Sequence, residues 1–299
     1  MKAASFSRFG GPEVLEIVDL PDPHPAPGEV RIAVRAAGVN ASDWKKRQGL
    51  MDEELPQTMG YEAAGIVDEL GEGVTAVALG SCVFGYSNGA AQAEKAVLSF
   101  FVPIPPALDF ADAAALPSAV ETAARALDQL GVESGSTLLI SGASGSVGSA
   151  AVQLAVSRGA RVIGTANPAN HDALRTLGAE PIAYGPGLKQ RVLALAPHGV
   201  DRALDVAGSG ILDELIDLAG TAEHVLTIAD FTGSRTHGVR FSRGDSGRAT
   251  YALEQVSALI EAGRYQLPPV HTYPLADIAE AHRAGESGRM RGKLVLTVD

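Results

Sequence analysis

A chain of 299 residues with 46% hydrophobic and 20% charged positions is long and apolar enough to bury cores for about two domains. Its formal net charge of −11 repels phosphate backbones and anionic lipid surfaces, which argues against nucleic-acid and membrane partners. A single cysteine, Cys82, excludes an intrachain disulfide and a multi-cysteine zinc lobe.

The opening Met1-Lys2-Ala3-Ala4-Ser5-Phe6 lacks the charged-then-apolar layout of a secretory leader, and no apolar run approaches the ~20 residues of a membrane span, so a cytoplasmic location is expected. Turn signals then separate short β-formers at 14–18, 30–36, 65–69, 82–84 and 96–101, predicting a β-rich first domain. Within it Cys82 reads as a small buried hydrophobe of a strand over 81–84. Lys45-Lys46-Arg47, followed by Asp52-Glu53-Glu54, reads as solvated surface. From about Ser118 the pattern changes to helix–strand alternation. Helices are predicted at 119–130, 147–157, 169–177, 189–195 and 211–218, with strands at 137–141, 161–165, 181–183, 202–206 and 224–228. Such alternation implies a parallel sheet with helices on both faces. A tail of helix 251–262, strand 270–273, helix 275–284 and strand 293–298 is expected to return to the first domain. The resulting division is 1–117 with 249–299, and 118–248.

The most informative segment is the junction of strand 137–141 with the helix after it. Gly142-Ala143-Ser144-Gly145-Ser146-Val147-Gly148 supplies glycines for a tight turn, for approach to a pyrophosphate and for close helix–strand packing. The helix start leaves free N–H groups facing the anion. Glycine also serves tight strand–helix turns that bind nothing; the strand before and helix after favour a dinucleotide.

Further segments complete a likeness. Gly10-Gly11-Pro12-Glu13-Val14-Leu15, Pro27-Gly28-Glu29-Val30, Ala36-Ala37-Gly38-Val39-Asn40 with Asp43, Gly60-Tyr61-Glu62-Ala63-Ala64-Gly65, Ala114-Ala115-Leu116-Pro117, Leu177-Gly178-Ala179, Tyr273-Pro274-Leu275 and Gly292-Lys293-Leu294-Val295-Leu296 follow in order along nearly the whole chain. With the glycine turn they resemble the medium-chain dehydrogenase/reductase superfamily, in its zinc-independent quinone oxidoreductase branch. The resemblance implies an α/β protein with a GroES-like β-rich domain and a Rossmann doubly wound parallel-sheet domain, nicotinamide in the cleft between them, and a homodimer. Zinc-bearing relatives carry cysteine where this chain has Asn40 and histidine where it has Tyr61. One surviving carboxylate, Glu62, is not a zinc site, so no metal is expected.

An NAD-type sheet places an acidic side chain about 20 residues past the glycine turn to bind the ribose 2′-OH. Here Thr165-Ala166-Asn167 stands there, with no carboxylate to repel a 2′-phosphate, so NADPH is expected over NADH. The resemblance matches Asn167 and Asn170 to polar positions of the family's phosphate pocket and Tyr184 to a tyrosine near it, whereas Ala169 stands where an arginine is often found. His171, Arg175, Arg289 and Arg291 are further cations of these regions, each also readable as solvated surface. Thr122 matches a threonine beside the nicotinamide, or is simply a helix-start hydroxyl. Val206, Ala207, Ile228 and Ala229, at the ends of two strands, should border the ribose and ring.

Without a Lewis acid, conjugated acceptors are favoured over simple ketones, because their developing charge is delocalised and positioning with a few donors suffices. Asn40, Asp43 and Tyr61, the candidate catalytic residues, match cleft positions in relatives. An amide and a phenol there could donate to an acceptor oxygen, although Asn40 also suits a turn, Asp43 a helix cap and Tyr61 a core. Three activities fit: NADPH-dependent reduction of quinones or other conjugated carbonyls, enoyl or alkene reduction in a biosynthetic pathway, and non-catalytic NADPH binding of crystallin-like kind.

Overall fold

The computed structural model describes residues 1–244, 247–288 and 291–298. In chain order the elements are β1 Lys2–Phe6, β2 Glu16–Asp19, β3 Val30–Val39, α1 Ala41–Arg47, β4 Gln57–Thr58, β5 Glu62–Leu70, β6 Cys82–Ser87, β7 Lys95–Pro103 and α2 Phe110–Ala114. Next come α3 Pro117–Leu130, β8 Thr137–Ser141, α4 Ser146–Ser157, β9 Arg161–Ala166, α5 His171–Thr176, β10 Ala179–Ala183, α6 Leu188–Leu195, β11 Arg202–Asp205, α7 Leu212–Ala219, β12 Val225–Thr227, α8 Phe231–His237 and β13 Arg240–Phe241. The tail holds α9 Ala252–Glu261, β14 Val270–Pro274, α10 Ile278–Glu286 and β15 Lys293–Thr297. Two compact units result, Met1–Ser118 with Leu253–Asp299, and Ala119–Ala252.

In the first unit six strands run in the order β14-β15-β3-β5-β6-β7, and β3 also pairs with β7, so the sheet curls back on itself. Register shifts at Arg31/Ile32 and Val34/Ala36 of β3 mark bulges that bend the long central strand toward both neighbours. Its core gathers Ile32, Val34, Val67, Val83, Leu98 and Leu296. The tail supplies β15, antiparallel to β3 with Leu294 opposite Val39. That pairing places the start of β15 beside Asn40, which follows β3.

The second unit is the doubly wound sheet, in the order β10-β9-β8-β11-β12-β13 with every neighbour parallel. The chain moves outward from β8 in one direction and then restarts beside it with β11. This reversal makes the carboxyl ends of β8 and β11 the switch point at which open sheets bind ligands.

Periodicity misses β1, whose Ala3, Ala4, Ser5 and Phe6 are all buried and so show no alternation. It also misses α8, where Gly233 and two threonines weaken the helical signal and the Asp230 side chain accepts from Gly233 N–H to cap it. The helix expected over 169–177 divides into a 3₁₀ turn at Pro168–Asn170 and α5, because Asn167 caps Ala169 N–H ahead of Pro168. Cys82 corrects its sequence reading: it opens β6 with an exposed side chain, and burial begins at Val83.

Candidate functional site

In the second unit the turn from β8 into α4 is built as the glycines require. Gly142 has φ +84°, a left-handed conformation that disfavours any side chain. Gly148 sits where a Cβ would lie 2.1 Å from Gly142 O, so its bare backbone lets α4 close against the turn. A Cβ at Gly145 would meet only Gly142 O, at 3.6 Å, so the space above that residue is open. Gly145 is the N-cap, and the first-turn N–H groups of α4 have no intrahelical acceptor. Ser146 Oγ is buried without a hydrogen-bond partner. An open glycine step, orphan N–H groups at a helix start and an orphan hydroxyl fit a pyrophosphate. Ser144, Ser146 and Val147 are partly accessible here, whereas Ala143 is packed against the sheet.

Thr165, at the end of β9, is nearly fully buried and serves the turn: its Oγ1 accepts from Gly142 N–H at 3.0 Å and its carbonyl from Ala143 N–H. Ala166 is buried beside it. The neighbouring polar groups face outward, with Asn167 capping Ala169 N–H at 3.0 Å and Asn170 Nδ2 lying 3.4 Å from Ser144 Oγ. Tyr184 is 61% exposed past β10. His171 Nε2 lies 3.4 Å from Ala166 O, and Arg175 is spent on the exposed Asp172 at 2.6 Å. Arg291 begins a described segment, and its carbonyl faces His271 at 2.9 Å; Arg289 lies outside the described residues.

Val206 and Ala207 follow β11, and Ile228 and Ala229 follow β12, all at least partly accessible. A buried pair missed by sequence reading shapes these ends. Asp205 Oδ2 accepts from Thr227 Oγ1 at 2.8 Å and Oδ1 from Gly208 N–H at 3.0 Å, while Thr227 Oγ1 accepts from Ala229 and Asp230 N–H at 3.1 Å each. The signal was a polar residue closing each apolar strand. Thr122 on α3 lies 3.5 Å from both Glu121 Oε2 and Arg125 Nη2, and the buried Arg125 also bonds Glu121 Oε1 and Ser242.

In the first unit three strand ends converge. Asn40 follows β3, Glu62 opens β5 and Lys293 opens β15. Lys293 Nζ donates to Glu62 Oε1 at 2.6 Å and to Asn40 Oδ1 at 2.5 Å, and Asn40 Nδ2 donates to Glu62 Oε1 at 2.7 Å. Glu62 Oε2 accepts from Ser118 N–H at 2.6 Å. The carboxylate fits only because residue 38 is glycine, since a Cβ there would lie 2.2 Å from Glu62 Oε1. Asp43 is fully buried; its Oδ2 accepts from Asn40 N–H at 2.7 Å and Gln92 Nε2 at 3.3 Å, and its Oδ1 has no partner. Burial pushes this carboxyl up to about 7, against the pull of the Asn40 N–H and the Lys293 charge. Asp43 therefore meets the protein interior as a cap. Tyr61 is half-buried with the Lys46 ammonium 5.3 Å from its ring centre, and burial lowers the pKa of that lysine.

The basic run 45–47 is not plain solvated surface. Arg47 is fully buried and ion-paired with Glu286, because Asp43 and Arg47 share the inward face of α1 at i, i+4 spacing. Beside it His282 is fully buried, edge-on to Trp44, with neither ring nitrogen partnered. Burial, then the Arg47 charge, depresses it to about 3.

Asn40 and Tyr61 supply neither thiolate nor imidazole, and the Glu62 carboxylate already carries an ammonium, so this donor set does not fit a zinc ion. Among the described residues no cluster of three or more His, Cys, Asp or Glu side chains is placed to hold a metal, and no helix is long and apolar enough to cross a membrane.

Two protein families match the sequence: Alcohol dehydrogenase GroES-like domain over residues 26–100 and Zinc-binding dehydrogenase over 177–296. The chain is 34% identical to the Spectinabilin polyketide synthase system protein NorB of Streptomyces orinoci, over 97% of its own length and 14% of that protein's. Against Erythronolide synthase EryA2 of Saccharopolyspora erythraea it spans 8% of the relative, so these matches cover a small part of much longer proteins. It is 30% identical to 2-methylene-furan-3-one reductase of Solanum lycopersicum over 99% of this chain and 79% of that one. Among solved structures, the quinone oxidoreductase from Coxiella burnetii aligns with a TM-score of 0.86 at 31% identity, covering 100% of this chain and 99% of that one. Mycobacterial Rv1454c complexed with NADPH aligns at 0.84 and 27%, covering all of both.

Proposed function

Because the chain belongs to the medium-chain dehydrogenase/reductase superfamily, among its quinone oxidoreductase-like members, we infer that it is an NADPH-dependent oxidoreductase that reduces a quinone or other conjugated carbonyl without a metal. The observation that carries this reading is the open step at Gly145 backed by the orphan Ser146 hydroxyl and the start of α4. Gly142 to Gly148 hold the pyrophosphate; Val206, Ala207, Ile228, Ala229 and Thr122 border the ribose and ring. NADPH over NADH is supported by the lack of a carboxylate at 165–167 and by the NADPH-bound relative, with Asn167, Asn170 and Tyr184 around the 2′-phosphate.

Bound NADPH supplies the hydride. The first unit supplies polar groups for the acceptor: the Asn40 amide and the Tyr61 phenol as donors, with Asp43 holding the Asn40 backbone. A proton from Tyr61 or solvent completes the reduction. The mismatch of Asn40, Tyr61 and the ammonium-bound Glu62 with zinc supports the metal-free assignment. A second reading, enoyl or alkene reduction, is favoured by the polyketide synthase matches along nearly the whole chain. Cytoplasmic location and a homodimer belong to the same proposal.

Anaerobic stopped-flow mixing of the NADPH complex with quinones and enones tests it. Rapid NADPH oxidation by quinones supports the first reading and oxidation by enones alone the second. Tight NADPH binding without turnover assigns the protein to non-catalytic binding, and a tenfold preference for NADH removes the cofactor assignment.

A further inference from the structure

The geometry points to Lys293 as a positioning residue that fixes the Asn40 side-chain amide in the one orientation offering an N–H to the oxygen of a conjugated-carbonyl acceptor. This inference rests on the reading above. An asparagine amide has two nearly isosteric orientations, and its neighbours choose between them. Lysine is purely a donor and an ionised carboxylate purely an acceptor. With Lys293 Nζ at 2.5 Å from Oδ1 and Glu62 Oε1 at 2.7 Å from Nδ2, the observed orientation satisfies both. Flipping it would set an NH₂ group against an ammonium and a carbonyl against a carboxylate.

Neither neighbour can swing away, since the side chains of Lys293 and Glu62 are 3% and 0% exposed and bond each other at 2.6 Å. Glu62 is further tied by Ser118 N–H, and the Asn40 backbone by Asp43. Among the described residues only one of the two Nδ2 hydrogens has a protein acceptor, and Asn40 is partly accessible. The second hydrogen is therefore the donor left for a ligand. An ammonium on Oδ1 also withdraws charge through the amide and strengthens that donor. In this unit a buried lysine provides a fixed positive charge behind the acceptor's hydrogen bond.

The competing account is that Lys293 merely neutralises Glu62 within the core. The full chain carrying Lys293→Met with Glu62→Gln separates the two accounts, because no buried charge is stranded and the new amide accepts either Asn40 orientation. Expected results are an unfolding midpoint close to wild type, an NADPH Kd within about twofold, and kcat/KM for the acceptor reduced about tenfold or more. Asn40→Ala should cost as much, and adding it to the double variant should cost little more, since both remove the same donor. Acceptor kcat/KM within twofold of wild type, or full additivity with Asn40→Ala, would overturn the proposal. If wild type binds NADPH yet reduces none of the quinones and enones, the functional reading fails separately. The positioning claim is then read from the Asn40 side-chain NH₂ signals in ¹⁵N-edited spectra. Two well-separated proton resonances in wild type that merge or broaden in the double variant support it, and unchanged signals overturn it.

Discussion

The two units make their candidate sites from different materials. In Ala119–Ala252 the site is mostly main chain, with a glycine turn, helix-start N–H groups and strand ends shaped by Asp205 and Thr227. In the other unit it is a network of polar side chains, in which the buried ionisable Lys293, Glu62 and Asp43 hold the Asn40 amide and backbone and Arg47 and His282 lie on α1 and α10. A main-chain site is fixed by sterics and indifferent to pH, whereas a site of buried charges carries its electrostatics into the stability of the fold.

The largest expected effect tests that difference through two groups of opposite sign. Asp43 has its folded pKa raised from 3.8 to about 7, so the native state holds a proton that the unfolded state releases, and stability falls as pH rises across that window. His282 has its folded pKa lowered from 6.5 to about 3, so the unfolded state takes a proton that the native state refuses, and stability falls as pH drops from 6.5 toward 3. Each shift corresponds to about 4–5 kcal/mol at about 1.4 kcal/mol per unit. Their windows overlap, so the contributions largely offset in wild type. Asp43→Asn should expose steep acid lability, and His282→Leu, which removes no hydrogen bond, should leave stability declining from about pH 4 to 7. Urea unfolding across pH 4 to 8 checks both. Profiles parallel to wild type would mean that these groups do not carry the charge assigned to them.

Next in size is the contrast between two glycines of one turn. A methyl at Gly148 collides with main chain at 2.1 Å, so Gly148→Ala should cost about 2–3 kcal/mol of stability together with NADPH affinity. Gly145→Val places its side chain in open space. It should leave the unfolding midpoint within a few degrees while weakening NADPH at least tenfold. Fluorescence titration beside thermal unfolding reads both quantities, and unimpaired binding by Gly145→Val would remove the turn as the pyrophosphate site.

Much of the second unit was legible because its demands are local. Strand, glycine turn and helix lie within about twenty residues, and each glycine answers a backbone requirement inside that stretch. In the first unit Lys293 stands 231 residues from Glu62 and 253 from Asn40, and it reads only as the start of a strand until β15 is laid against β3. The same distance hid Arg47, whose partner Glu286 is on α10. Resemblance points to Asn40 and Tyr61, but the commitment of the Asn40 amide to a lysine and a glutamate depends on strand register. Gly38 is the residue through which the network can be probed locally. A Cβ there meets Glu62 Oε1 at 2.2 Å, and that oxygen, bonded to Lys293 and Asn40, cannot yield cheaply. Gly38→Ala should therefore cost about 1–3 kcal/mol in chemical unfolding. A neutral result would mean that the carboxylate is less constrained than its contacts imply.

The smallest expected effect concerns Arg175, a cation on α5, the helix after β9. Its guanidinium bonds Asp172 at 2.6 Å, yet the side chains are 57% and 100% exposed, so solvent screens the pair and holding it costs side-chain entropy. Arg175→Ala should change stability by less than about 0.5 kcal/mol. If Asn167, Asn170 and Tyr184 bind the 2′-phosphate by neutral donors, the same variant should leave the ratio of NADPH to NADH affinity within about threefold of wild type. A salt titration sharpens the result, because a phosphate met by a charged arginine loses affinity as ionic strength rises, and one met by amides and a phenol does so much less. A steep salt dependence abolished by Arg175→Ala would show that the arginine leaves Asp172 for the phosphate, and would bring a side-chain charge into a site otherwise made of main chain and neutral side chains.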